Sequence, residues 1–207
     1  MTRTVETLYS KKTWKGPGEL YKSNNKRINF PETSSEGKAE SARRLNSFHA
    51  MEYAEDRSDR DAYIQKLLKA PAHNCTELTR AAAHFAHEMF PDMPTTGVNF
   101  QDPSQTDPIF GHTVLVLGHV SEEMLQKPVE EWDPSFAIVD PWARIAATPQ
   151  LYRARLEAKL EKWANENKQV KALWNKAPEG SRWRAAWIDS TDPSVRNVLN
   201  SARRIDD

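Results

Sequence analysis

With one cysteine and six histidines, the chain offers few ways to do nucleophilic or metal chemistry. The cysteine, Cys75, stands in the segment AHNCTELTRAAAHF, at the head of an apolar stripe of Leu78, Ala82, Phe85, Ala86 and Met89. That spacing predicts a helix from Thr76 to Phe90, with Asn74 as N-cap, Glu77 as a favourable first-turn charge and Pro91 as the stop. Cys75 then falls at the first helical position. A thiol there is a candidate nucleophile, because the positive end of the helix dipole and a histidine partner both favour the thiolate. The Cys75 backbone N–H, pointing off the helix start, could also donate to an oxyanion. The competing reading is a buried structural thiol, common for free cysteine. The polar neighbours Asn74 and Thr76 and the helix-start position argue against it.

A useful thiolate needs a firmly held imidazole. In GHTVLVLG, His112 leads a predicted strand from His112 to Val120, next to Gly111, where it can face a cleft. In FAIVDPWA, Asp140 ends a second predicted strand from Phe136 to Asp140. If the two strands pair antiparallel, the start of one lies beside the end of the other, and Asp140 can fix the His112 tautomer. His119 is the rival base, but alternation puts it on the opposite face. Asp140 could also be a plain turn-starter before Pro141, and Trp142 either walls the cleft or fills the core. A metal reading rests on His84 and His87, spaced to share a helix face, with His73, Cys75 and Glu88 nearby. The pair lacks the His-Glu-x-x-His pattern and a third ligand.

The order Cys, His, Asp, with the cysteine opening a helix and the others on adjacent strands, resembles the papain-like and transglutaminase-like superfamily. The matching residues are Asn74-Cys75-Thr76-Glu77-Leu78, His112-Thr113-Val114-Leu115-Val116 and Ile138-Val139-Asp140-Pro141-Trp142. Asn-Cys-x-Glu and Asp-Pro-Trp are similar to segments of bacterial effector and toxin domains of this superfamily. The likeness covers residues 70–145. It implies a thiol hydrolase, a protease or glutamine deamidase, whose cysteine attacks a carboxamide of a protein substrate to give a thioester. Water, or an amine in a transglutaminase-type acyl transfer, resolves that thioester. Papain-type members also place a glutamine upstream of the cysteine in the oxyanion hole. Gln65 is the only glutamine before Cys75 and reads as part of a helix, which leaves Asn74 or a backbone N–H for that place, with Trp142 as a further substrate-side candidate.

Composition sets the outer bounds. Twenty-nine basic and 29 acidic residues give a formal net charge of zero, which argues against a nucleic-acid or membrane-surface binder. One cysteine excludes an intramolecular disulfide and a multi-cysteine zinc site. No apolar run approaches the length of a membrane span, and the start MTRTVETLYSKK lacks the apolar core of a Sec signal. The expectation is a fold suited to a reducing cytosol. Residues 1–45 read as a flexible extension, compatible with a non-cleaved secretion signal that the resemblance would connect with delivery to a host or competitor cell.

Residues 46–207 read as a single domain. Beyond the site elements, the spacing predicts helical stretches from Leu45 and over Ala62–Lys69, and an irregular connection over residues 91–111. It further predicts an amphipathic helix from Pro149 to Trp163, a third strand over Trp183–Ile188 and a terminal helix over Pro193–Arg203. Helices first and strands afterwards predict an α+β fold, a helical part carrying Cys75 packed on a small antiparallel sheet. No cofactor is expected. The alternatives from other classes are a non-catalytic protein-binding module and a metal-dependent hydrolase.

Overall fold

The computed structural model describes residues 62, 64, 75–102, 104, 110–165, 169–173 and 185–205. The predicted extension over 1–45, the helical stretch from Leu45, and Asn74 and Gln65 lie outside the described residues. Of the stretch Ala62–Lys69, Ala62 and Ile64 are described, both helical.

The first long element is helix α1, Cys75–Met89, so Cys75 is its opening residue. Strand β1, Thr95–Gln101, follows, then β2, Gly111–Leu117, and a short helix α2, Glu122–Leu125, capped by the Ser121 side chain. A single 3₁₀ turn, Val129–Glu131, leads to β3, Ala137–Asp140, and β4, Ile145–Ala147. Helix α3 spans Pro149–Asn165, with Pro149 at its first position, where a missing N–H costs nothing. A separate two-stranded sheet pairs β5, Gln169–Leu173, with β6, Ala185–Asp189. Helix α4, Pro193–Arg196, a 3₁₀ turn over Asn197–Asn200 and β7, Ala202–Arg204, complete the described chain. The larger sheet has five antiparallel strands in the order β4-β3-β2-β1-β7. The fold is α+β in the described region, a helix followed by a small antiparallel sheet.

β2 lies at the centre of this sheet and is covered on both faces. Val114 and Val116 join Val98, Phe100 and Ile138 in one core cluster with Tyr152, Leu156, Leu160 and Trp163 of α3. Leu115 and Leu117 join Val139 in another, with Ala82 and Ala86 of α1. Two-sided burial explains why β2 reads as a continuous apolar run rather than an alternating one. Each buried Val or Leu there is worth about 1.5–3 kcal/mol of transfer free energy.

Four expectations need correction. Residues 95–101 are a strand, not irregular connection: Thr96, Val98 and Phe100 alternate inward, a signal the surrounding prolines and Gly97 obscure. The face α1 buries is Thr79, Ala81, Ala82 and Ala86 together with Glu77, while Met89 is 47% exposed. Small side chains let the helix backbone come close to the sheet, so the larger stripe residues are not the ones at the contact. The predicted terminal helix stops at Arg196. Asp192 caps its start, but the chain turns out through the 3₁₀ turn so that Ala202 to Arg204 can pair with Phe100 to Val98. Strand β2 ends at Leu117 rather than Val120, because Gly118 adopts φ +141°.

A Cβ at Gly118 would stand 2.5 Å from a ring carbon of Phe136, in a backbone region L-residues avoid. Gly118→Ala is therefore expected to lower stability by about 1–3 kcal/mol. A fall in the urea midpoint at unchanged slope would show it, and a midpoint equal to wild type would refute it.

Candidate active site

The ladder between β2 and β3 is short, running from Leu115↔Val139 to Leu117↔Ala137. β2 continues beyond it, still paired with β1 through Thr113↔Asn99 and Phe100↔His112. His112 and Thr113 therefore lie on a stretch of β2 with no β3 partner. Alternation puts His112 on the face of Val114 and Val116, and Thr113 on the face that meets α1.

The freed backbone of Thr113 is taken by α1. The Thr79 hydroxyl donates to the Thr113 carbonyl at 3.1 Å, and the Cys75 sulfur accepts from the Thr113 N–H. The Thr113 hydroxyl also contacts Cys75 and lies 3.0 Å from the Thr76 hydroxyl. These contacts pin the first turn of α1 to the sheet and hold the thiol at its end. Cys75 is half-buried as a residue, and it is a free thiol.

His112 is 1% exposed and Asp140 0%. His112 Nε2 lies 2.7 Å from Asp140 Oδ2. Since the carboxylate can only accept, Nε2 carries a proton in either charge state of the ring, and Nδ1 is the nitrogen whose proton comes and goes. Nδ1 has no aligned hydrogen-bond partner among the described residues. The group that acts on the ring besides Asp140 is the Cys75 thiol, through hydrogen bonding and charge. The thiol and the imidazole thus interact without an aligned hydrogen bond at Nδ1.

Asp140 has two jobs, one per oxygen. Oδ1 accepts from the Ala143 N–H at 2.8 Å, closing the tight turn into β4. Oδ2 accepts from His112 and from the Tyr152 hydroxyl, the latter at 2.9 Å. The turn-starting and the imidazole-orienting readings of this residue are thus both met by the one carboxylate. The turn also contains Arg144 at φ 59°, a left-handed position that costs a non-glycine residue roughly 1 kcal/mol or more. The hydrogen bond from Ala143 helps to hold that bend.

The electrostatics follow from this arrangement. Burial works against a charged imidazole at His112, but the charge and hydrogen bond of Asp140, helped by the thiol, overcome it and push the pKa up to about 10. Burial likewise raises the Cys75 thiol. The hydrogen bond and charge of His112, with the N–H and hydroxyl of Thr113, outweigh burial and leave the thiol below its ordinary value. Each shift favours a thiolate–imidazolium pair. The phenol of Tyr152 is raised well above its ordinary range by burial and by the Asp140 charge, so it stays protonated and donates.

Aromatic rings enclose the imidazole. Trp142 lies 5.0 Å from it, centroid to centroid, tilted by 53°, and Phe110 stacks at 6.4 Å. Trp142 in turn meets Trp163 edge-on at 4.8 Å. Trp142 is half-buried and packs against the core, so it acts as a wall beside His112 and as a face that favours the imidazolium. His119 is exposed beyond the end of β2. His84 lies 3.6 Å from Glu88 on its own helix and His87 is exposed. No group of three or more His, Cys, Asp or Glu side chains placed to hold a metal occurs among the described residues.

Sequence reasoning did not assign Tyr152, Thr113 or Asn99 to the site. Tyr152 is one of the apolar positions of α3, and nothing in that spacing shows that its hydroxyl reaches Asp140. Tyr152→Phe removes one of two donors to a buried carboxylate oxygen while keeping the ring. It is expected to cost about 1.5–3 kcal/mol, measured as a lower denaturant midpoint. A variant as stable as wild type would mean the hydroxyl adds nothing to the pair.

The chain matches no family model, no curated protein and no solved structure. The described residues place Cys75, His112 and Asp140 together on an α+β frame.

Proposed function

We propose that the chain is a cysteine-dependent hydrolase acting on carboxamide groups of protein substrates, with Cys75 as nucleophile, His112 as base and acid, and Asp140 as orienting group. The observation that carries this reading is the division of the buried imidazole. Nε2 is held by Asp140 at 2.7 Å, while Nδ1 is left without an aligned partner beside a half-buried thiol at a helix start. A buried polar atom without a partner is costly in a purely structural site. A ring nitrogen that exchanges its proton with a nucleophilic thiol accounts for it.

In the proposed sequence the thiol proton passes to His112 Nδ1, and the thiolate attacks the carboxamide carbon. The C–N bond breaks as His112 returns that proton to the departing amine or ammonia, leaving a thioester on Cys75. A water molecule then gives its proton to Nδ1 and adds to the thioester. The sulfur departs with the proton from His112, releasing the acid. Asp140 holds Nε2–H in place throughout. At the helix start, the oxyanion of either tetrahedral state would meet the Cys75 N–H, the donor expected from the sequence.

The test is acylation by p-nitrophenyl acetate, which needs no knowledge of the natural substrate. The expected result is a stoichiometric burst of p-nitrophenolate near neutral pH, with a thioester on Cys75 by mass spectrometry, and no burst in Cys75→Ala. A wild-type rate equal to that of a free thiol, or a burst that survives in Cys75→Ala, would overturn the proposal. With acylation in hand, release of ammonia from glutamine-containing proteins would mark a deamidase. New amino termini would mark a protease.

A further inference from the structure

The Thr113 hydroxyl sits among three groups and has a single proton to give. As arranged, it donates to Asn99 Oδ1 at 3.2 Å, across the β1–β2 register pair Thr113↔Asn99. Its only proton being used there, the 3.0 Å contact with Thr76 is one in which Thr76 donates. The third neighbour is the Cys75 sulfur. A neutral thiol is a weak acceptor and does not compete with a carboxamide oxygen. A thiolate is a charged acceptor, and hydrogen bonds to charged groups are about twice as strong as neutral ones.

We propose that the Thr113 hydroxyl is a rotor, parked on Asn99 while Cys75 is a thiol and turned onto the sulfur when the thiolate forms. Thr113 is then a catalytic residue in its own right, holding the thiolate through its main chain and its side chain at once. The rotation moves no proton between atoms: the thiol proton goes to His112 Nδ1, and the hydroxyl keeps its own. The Thr76 donation anchors the oxygen through the turn, so only the O–H direction changes. Thr113 is 2% exposed, which keeps water from substituting for the hydroxyl. The inference rests on the proposed function, since it requires a thiolate at Cys75.

Among the described residues, few ionisable groups act on the sulfur. His112 faces it from β2, with Asp140 of β3 behind the imidazole, and Tyr152 of α3 feels its charge. Glu77 lies in the first turn of its own helix. β1 carries no charged residue. Thr113→Val and Thr113→Ser alter none of these ionisable groups, and the serine variant separates loss of the hydroxyl from a shift of the adjacent His112.

The experiment is the pH profile of iodoacetamide alkylation at Cys75, in wild type, Thr113→Val, Thr113→Ser and Asn99→Ala. Valine keeps the shape and removes the hydroxyl. It is expected to move the midpoint upward, with labelling on the acid side of the profile slowed roughly tenfold. Serine restores the hydroxyl and is expected to return the midpoint to within a few tenths of a unit of wild type. Asn99→Ala removes the competing acceptor and is expected to leave the midpoint at or below the wild-type value. A valine midpoint equal to wild type, a serine variant that behaves like valine, or an Asn99→Ala midpoint that rises would each overturn the rotor. A wild-type profile already matching a free thiol would instead overturn the proposed function, and the rotor with it.

Discussion

His112→Ala is expected to slow iodoacetamide labelling of Cys75 at pH 6 by about a hundredfold relative to wild type. Two contributions set that size. In the wild type, burial disfavours the thiolate, and the hydrogen bond and charge of His112 are the largest effects opposing it. Without the imidazole, the helix start and Thr113 remain, but burial is no longer outweighed. The thiol should then titrate near or above the free-thiol value of about 8.5, where only a few thousandths of it are ionised at pH 6. The lower-pKa wild-type thiolate is somewhat less nucleophilic, which trims the ratio without reversing it. The labelling profile of the variant should rise as a single ordinary titration. Equal rates at pH 6 would mean that His112 and Cys75 are not coupled, and the site would have to be read as structural.

Asp140→Asn carries the second large effect. Asparagine preserves the shape, and its Oδ1 can still accept from the Ala143 N–H and close the turn. It removes the charge opposite His112 Nε2. The tautomer and orientation of the imidazole are then no longer enforced, and comparable losses of the orienting carboxylate in triads lower turnover about 10⁴-fold. Acylation by p-nitrophenyl acetate should fall by a similar order while the fold survives. An acylation rate within tenfold of wild type would remove Asp140 from the mechanism. Truncation to Asp140→Ala is expected to destabilise as well, by about 3–5 kcal/mol, because it breaks a fully buried pair.

The same pair makes stability pH-dependent, and the sign can be worked out. His112 is raised from 6.5 to about 10 by folding, so the folded state binds its proton more tightly than the unfolded chain does. The stabilisation from that proton is fully present below pH about 6.5 and fades as pH rises towards 10. The stability gap between wild type and Asp140→Asn should accordingly be widest at pH about 6 and narrow towards pH 10. A gap that grows with pH over this range would mean that the imidazole is neutral in the folded protein.

Much of this site is legible in the residue order because its signals are local. Asn-Cys-x-Glu ahead of an alanine-rich stripe marks a helix start. GHTVLVL and FAIVD mark two strands whose ends can meet. The structure brings Cys75, His112 and Asp140 together. Other features depend on contacts distant in sequence and have no local signature. Tyr152 occupies an apolar repeat position of α3, and only the packing of α3 against β3 and β4 turns its hydroxyl towards Asp140. Thr113 reads as one more β-branched residue of a strand. Its hydroxyl matters because the β2–β3 ladder stops at Leu115 and leaves its backbone to α1. Strand β1 was hidden among prolines, and β7 inside a pattern that reads equally well as helix. Both are fixed by pairing with each other.

The partnership of β1 with β7 bears on how the protein emerges during synthesis. Helix α1 and strands β1 to β4 are contiguous in the chain, and the residues of the proposed site lie between Cys75 and Tyr152. The strand that covers the outer edge of β1 is made after all of these, since Val98 pairs with Arg204. A nascent chain can thus assemble the Cys75–His112–Asp140 site while one edge of its larger sheet still presents unpaired amides and carbonyls. Such an edge is an invitation to other strands. Until β7 docks, the growing polypeptide is most vulnerable to sticking to its own copies, and a chaperone that shields β1 would act in that interval.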